Sequence, residues 1–378
     1  MILSPEQEQI RDAMRAFAQE RLAPYAAEWD RNKTFPAEAL RALGELGAMG
    51  VCVPEEWGGA GMDYMSLVLM LEEIAAGDGA TSTIVSVQNS LACGIPARYG
   101  SEAQKEQWLK PLARGEKIGC FCLTEPHTGS DAAAIRTRAD RDGDDFVLNG
   151  VKQYITSGAN AAVAIVFAVT DKAAGKKGIS CFLVPTATPG YRVARIENKM
   201  GQHASDTAQI LFEDCRVPAS ALLGREGEGY RIALSNLEAG RIGIAAQSVG
   251  MARAAYEAAV AYAKQRITFG QPIIEHQAVN FRLADMATQL DAARLMVWRA
   301  AMLKDAGRPC LTEASMAKMF ASEMAEQVCS AAIQIHGGCG YTDETPVERI
   351  YRDVRITQIY EGANDIQRLV IGRSIAGA

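Results

Sequence analysis

The spacing of apolar residues changes twice along this chain. Up to about residue 115 they recur at helical intervals. Ser4-Pro5-Glu6-Gln7 supplies a capping hydroxyl, a proline at the first helical position and a Gln three residues after the cap, which predicts a helix start. Ser101-Glu102-Ala103-Gln104 repeats the signal before Gln107-Trp108-Leu109, and Pro111 is expected to end that element. Between them, Pro54-Glu55-Glu56-Trp57-Gly58-Gly59 reads as a loop. From Gly119 to about Val217 the period becomes two. Residues 136–141 and 146–149 flank Asp142-Gly143-Asp144-Asp145 as a hairpin, and 179–184 and 208–212 read as further strands. From about Gly229 the helical period returns. Leu283, Met286, Leu290, Ala293 and Val297 form a bundle-type seam, and Thr345-Pro346-Val347-Glu348 predicts a capped helix start.

The expected fold is therefore α+β and multidomain. An all-α domain (1–117) precedes a middle antiparallel β domain (118–225) and a C-terminal four-helix bundle (226–378). A chain of 378 residues exceeds what one core usually supports, which agrees with that division. Net charge is −6 and no Lys- or Arg-rich run occurs, so broad nucleic-acid or anionic-membrane binding is disfavoured. The nine cysteines are scattered, odd in number and lack a C-x-x-C, which fits a reducing compartment better than a disulfide framework. Cys120 and Cys122 are expected on one face of a strand. The N-terminus has no basic start followed by an apolar run, and the longest apolar stretch, 161–169, is too short for a membrane helix. The expectation is a cytoplasmic protein without membrane insertion.

Candidate chemistry lies in four segments. Ile359-Tyr360-Glu361-Gly362-Ala363-Asn364-Asp365-Ile366-Gln367 places a carboxylate between an aromatic ring and a glycine, at a break between helical patterns. Gly362 can turn the chain sharply, and a buried Glu361 would suit proton abstraction. Cys120 through Asp131, ending Thr128-Gly129-Ser130-Asp131, is a strand followed by a turn rich in short donors. His127 within it reads as a surface residue. Tyr154-Ile155-Thr156 is an aromatic strand segment, by default part of a core. Gln265-Arg266-Ile267-Thr268-Phe269-Gly270 ends a long helical pattern, where a cation suits the helix dipole. No dinucleotide-type G-x-G-x-x-G, P-loop or G-x-S-x-G occurs, and the four histidines show no metal-ligand spacing.

Together these segments resemble the acyl-CoA dehydrogenases over essentially the whole chain, in their motif residues most like the short-chain and short/branched-chain members. The resemblance implies the three-domain fold of that family, FAD as cofactor and no metal. Phe121, Leu123 and Thr124 would lie along the flavin ring, covered by Tyr154, Ile155 and Thr156, with Tyr154 where Trp is commoner. Gly129 and Ser130 would meet the flavin pyrophosphate, and Ser130 the pantetheine end of the substrate as well. Arg266, Thr268, Phe269 and Gln277, with Gln334, Gly337 and Gly338, would contact FAD across a subunit boundary. Ala363, Asn364 and Asp365 complete the implied cofactor set.

Glu238, Arg241, Tyr360, Gly362 and Arg373 are implied on the substrate side, with Glu238 and Arg241 at the CoA portion. Some branched-chain relatives carry the base immediately before that Arg; here Gly240 stands there, leaving Glu361 as the candidate. The implied reaction is α,β-dehydrogenation of a short or short-branched acyl-CoA to the trans-2-enoyl-CoA. Glu361 would take the α-proton, hydride would pass to flavin N5, and electrons would go to an electron-transferring flavoprotein, in a homo-oligomer read as a tetramer. Glutaryl-type relatives hold a second carboxylate with an Arg in the segment corresponding to Ala80 through Leu91, and residues 80–87 hold no cation, so the resemblance disfavours a dicarboxylic substrate. An oxygen-using, acyl-CoA oxidase-like flavoenzyme and a non-catalytic scaffold are the alternatives.

Overall fold

A computed structural model describes residues 2–377; Met1 and Ala378, the end positions of the expected outer domains, lie outside the described residues. The N-terminal part is helical: α1 (Pro5–Arg21), α2 (Ala26–Asn32), α3 (Ala37–Glu45), α4 (Tyr64–Gly77), α5 (Gly79–Val87), α6 (Gly94–Tyr99), α7 (Glu102–Gln104) and α8 (Lys110–Ala113). Both expected N-terminal capping boxes form, at Ser4/Gln7 and Ser101/Gln104. Pro111 does not end its element, contrary to the expectation. A π-helical segment, Lys105–Leu109, precedes it, and the helix then runs on to Ala113. The wider turn relieves the clash between a proline ring and the carbonyl four residues back. The same device, at Gln88–Cys93, precedes Pro96 in α6.

The middle part is an eight-stranded sheet: β1 (Gly119–Cys122), β2 (Arg138–Asp142), β3 (Asp145–Thr156), β4 (Val163–Val169), β5 (Ile179–Pro185), β6 (Tyr191–Ile196), β7 (Thr207–Pro218) and β8 (Leu222–Leu223). Its order is β6-β7-β3-β2-β4-β5-β8, with β1 beside β4. Pairing is mostly antiparallel, but β1 and the start of β2 run parallel to β4. The expected hairpin closes through Gly143 and Asp144, pairing Asp142 with Asp145. The apolar run 161–169 is explained by β4, which is buried on both faces. Val163, Ile165 and Phe167 join a core with α6, α8 and the N-terminal π segments, while Ala164, Val166 and Ala168 join one with Cys120, Cys122, Phe146 and Phe212.

The C-terminal part holds α9 (Gly229–Gln265), a short hairpin of β9 (Ile267–Thr268) and β10 (Gln271–Pro272), α10 (Gln277–Asp305), α11 (Leu311–His336), α12 (Val347–Val354) and α13 (Asn364–Ala376). The three long helices and α13 make the bundle. All five predicted seam residues of α10 are buried. The capping box expected at Thr345 is absent, because the Thr345 hydroxyl donates instead to the Cys339 carbonyl at 3.0 Å. One hydrophobic core spans α1, α3, α4 and α5 together with α9 through α12. The buried carboxylates of Glu72 and Glu73 on α4 reinforce it, pairing with Arg15 of α1, Arg253 of α9 and Arg294 of α10. The sheet docks on this helical body through the segment before β7. Gly201 lies so close to α12 that a Cβ there would sit 2.5 Å from the Arg352 backbone.

Candidate active site

The loop between α12 and α13 turns through two successive left-handed residues, Glu361 (φ 53°) and Gly362 (φ 85°). The glycine takes this conformation freely; the glutamate does so at a cost of about 1 kcal/mol or more. Two side chains hold the turn. Gln367 Nε2 donates to the Gly362 carbonyl at 2.7 Å and the Glu361 carbonyl at 3.3 Å, and Lys318 Nζ of α11 donates to the Gly362 carbonyl at 2.9 Å.

The turn aims the Glu361 carboxylate at α9. Its Oε2 is buried without a hydrogen-bond partner, directly over Gly240, where an added Cβ would lie 2.4 Å away. The base position of Glu361 and the helix position just before Arg241 thus address one point in space. Burial pushes the Glu361 carboxyl up to about 7, while the nearby Lys318 and Arg241 pull it down. An unpaired buried oxygen of this kind costs about 1–3 kcal/mol, which a ligand donor would recover. Among the described residues the Glu361 backbone N–H has no acceptor either.

Tyr360, next to the base, is anchored on α9 through its hydroxyl. Its hydroxyl donates to Gln247 Oε1 of α9, and Gln247 Nε2 donates to Thr83 Oγ1 of α5. Thr83 in turn donates to Gln202 Oε1 at 2.7 Å. Gln202 leads into Asp206 and Thr207, and Thr207 pairs with Thr156. A continuous path therefore joins the acid loop to the strand segment 154–156.

That segment differs from the core aromatic strand expected of it. The register between β3 and β7 shifts between Lys152 and Ile155, and Tyr154 within the bulge takes φ 58° and is 65% exposed. The bulge turns the aromatic outward. The end of β1 lies alongside, since Gln153 N–H donates to the Thr124 carbonyl at 2.8 Å. Beneath them Lys152 Nζ, fully buried, bridges the Leu123 carbonyl (3.0 Å) and Glu125 Oε1 (2.9 Å). Glu125 also accepts from the Arg136 and Thr137 N–H groups. The sequence reading missed this pair, although a Glu directly after the strand and a Lys two residues before Tyr154 were visible. Phe121 packs edge-on against Phe167 with centroids 5.1 Å apart, Leu123 is buried, and Gly129 and Ser130 stand exposed on the following turn. Cys120 and Cys122 share a buried face as expected, and His127 is exposed.

The remaining predicted residues are distributed over the helical body. Arg241 is buried where α9 packs on α11, points to the Glu361 side and donates to Ser315 Oγ at 3.2 Å. Glu238 is held by Lys304 Nζ at 2.8 Å and by the Cys310 thiol. The Asn364 side chain is hydrogen-bonded to Lys318, Ser322 and Glu323. Arg373 and Asp365 are exposed on α13, and Ala363 lies at its start. Arg266, Phe269 (97% exposed), Gln277, Gln334, Gly337 and Gly338 all lie on the surface, with Thr268 half-buried beside them. Arg241 and Asn364 adjoin the Glu361 cluster, whereas the residues from Arg266 to Gly338 named here do not bond to it.

The residues fit a flavin. An aromatic face is left uncovered at the Tyr154 bulge, beside short hydroxyl side chains at Thr124 and Thr156. A Cβ added at Gly337 or Gly338 would meet nothing within 4 Å, so a ligand can approach the backbone closely.

Comparison with known proteins agrees. Residues 4–116, 120–215 and 227–376 match the N-terminal, middle and C-terminal domains of acyl-CoA dehydrogenase respectively. The mitochondrial short-chain specific acyl-CoA dehydrogenase of Rattus norvegicus is 50% identical over 368 residues, 97% of this chain and 89% of that one. Butyryl-CoA dehydrogenase from Megasphaera elsdenii superposes with a TM-score of 0.97 at 42% identity, covering 100% of this chain and 99% of the other. A chain from structural work on the electron-transferring flavoprotein of Acidaminococcus fermentans superposes at 0.98 with 46% identity, covering 99% of both chains. The chain belongs to the acyl-CoA dehydrogenase family, a flavoprotein oxidoreductase with FAD as its cofactor and an acyl-CoA as the molecule it dehydrogenates.

Proposed function

We propose that the chain converts a short straight or short-branched acyl-CoA to its trans-2-enoyl-CoA, with Glu361 as the base that removes the α-proton. The observation carrying this reading is the Glu361 carboxylate, with a buried, unpartnered Oε2 on a strained turn and a pKa raised to about 7. A base poised near working pH combines a populated anion with useful proton affinity. The α C–H of a thioester is a poor acid, so the carbonyl oxygen needs a donor as negative charge builds on it. The free Glu361 N–H can supply one, worth about 3 kcal/mol. FAD, when bound, supplies the acceptor for the two electrons that leave with the β-hydrogen. Phe121, Leu123, Thr124, Tyr154, Ile155 and Thr156 would hold its ring, and Gly129 and Ser130 its phosphates. Arg266, Thr268, Phe269, Gln277, Gln334, Gly337 and Gly338 would hold the FAD of a neighbouring copy. The last assignment is supported by large apolar rings left on the surface, Phe269, Tyr341 and Phe281. We read the assembly as a tetramer.

The short acyl chain is supported by the name of the rat relative. A second carboxylate has no partner in α5, whose buried run Gly79–Val87 holds no cation. The electron acceptor in this reading is an electron-transferring flavoprotein, and the location cytoplasmic, supported by nine free thiols among the described residues. We place the domain divisions at 117/118 and 225/226, within the stretches between α8 and β1 and between β8 and α9.

The test is Glu361→Gln in the FAD-loaded enzyme, mixed anaerobically with butyryl-CoA. Flavin bleaching should slow by about 10²–10⁴-fold, and an undiminished rate would overturn the assignment. Peroxide release from the parent without a partner protein would instead point to the oxygen-using alternative.

A further inference from the structure

Lys318 lies on α11, and its side chain is fully buried. Both acceptors of its ammonium belong to the acid loop: the Gly362 carbonyl at 2.9 Å and Asn364 Oδ1 at 3.0 Å. Neither is charged. Burying an ammonium against neutral acceptors is expensive, and a neutral amide could serve two oxygens with far less desolvation. Gln367 already grips the same Gly362 carbonyl with such an amide. Hydrogen bonding to the loop therefore accounts for a donor at this position but not for a cation.

We propose that Lys318 is a positioning residue for the dehydrogenation, which fixes the Glu361–Gly362 turn and, through its charge, keeps the neighbouring carboxylate ionised enough to act as a base. This deepens the Glu361 reading and rests on it. Facing the Glu361 carboxylate are Arg241 from α9, Lys318 from α11 and Tyr360 from its own loop; facing Lys318 are Glu361, Arg241 and, on its own helix, Glu323. Burial drives Glu361 up, and the two cations oppose it. Burial also drives Lys318 down, to about 7, so its charge is the one that can weaken near neutrality while Arg241 keeps its own.

The experiment compares the pH profile of anaerobic flavin reduction by butyryl-CoA in the parent, Lys318→Met and Lys318→Arg holoenzymes. The base works deprotonated, so the rate rises as pH passes through the pKa of Glu361. Removing the cation should move that rising limb upward by about one pH unit, an approximately tenfold loss at pH 6 beyond any loss on the plateau. Arginine should return the limb toward the parent while the plateau stays low, because its fork does not match the two loop oxygens. Lys318→Gln, which keeps a donor and drops the charge, carries the same expectation as Met if Met does not yield holoenzyme. A limb left at the parent pH in the neutral variants, with only melting temperature or plateau reduced, would overturn the proposal. Glu361→Gln run alongside separates the two failures: if it stays active the base assignment falls, and if it is dead while the limb is unmoved only the role of Lys318 falls.

Discussion

Alanine at position 240 tests the placement of the base with little penalty to the fold. The added Cβ would lie 2.4 Å from Glu361 Oε2 and 3.1 Å from its Cδ. Nonbonded heavy atoms settle near 3.5 Å, so the carboxylate must retreat by about 1 Å. Retreat costs Glu361 about 1 kcal/mol as an off-rotamer side chain, whereas Ala in place of Gly inside α9 regains about 1 kcal/mol of helix propensity. The two nearly cancel, so Gly240→Ala should melt close to the parent and retain FAD. Catalysis is less forgiving, because a misplacement of about 1 Å at the reacting centre costs on the order of 10²-fold. Stopped-flow bleaching of the holoenzyme by butyryl-CoA, with melting and flavin content measured on the same preparation, checks both halves. A rate within about threefold of the parent would refute the reasoning, since the working carboxylate would then not sit over Gly240.

Two further expectations follow from buried charge. Lys152→Met strands the Glu125 carboxylate beside β1 and β3 and should cost about 3–5 kcal/mol; the double variant with Glu125→Gln should recover much of it, and equal melting of single and double variants would contradict the pairing. Asp353 of α12 is fully enclosed beside Asp78 and Arg349, and burial pushes it up to about 7. A carboxyl raised in the fold contributes stability that is full below about 4, its value in the unfolded chain, and lost as pH rises through about 7. The melting temperature of Asp353→Asn minus that of the parent should therefore climb between those limits, and a flat difference would count against the assignment.

The three regimes of hydrophobic spacing were legible because each reports burial on one face of a regular element. The seam from Leu283 to Val297, the hairpin around Gly143 and the first two capping boxes are local patterns, and they form as read. What escaped depends on partners remote in the chain. The outward turn of Tyr154 comes from a register shift against β7, which no alternation within β3 reveals. Arg241 faces inward because α11 packs beside it, and helix spacing alone does not choose between the two sides. Proline at 111 looked like a stop because a π-helical turn leaves no mark in composition. Lys318 was missed although a clue existed: Ala314, Ser315, Ala321 and Ser322 line the same small-residue face, a position where a solvated lysine has no room.

Gln367 sits about one turn into the last helix, yet its amide clasps both carbonyls of the acid's own bend. The clasp leaves no space for a methyl at 362, where a Cβ would fall 2.6 Å from that nitrogen. The terminal helix is thus a latch on the chemistry as well as a strut of the bundle. Trimming the chain just after Ile366 would leave every reacting atom encoded and still unhook the bend that aims them.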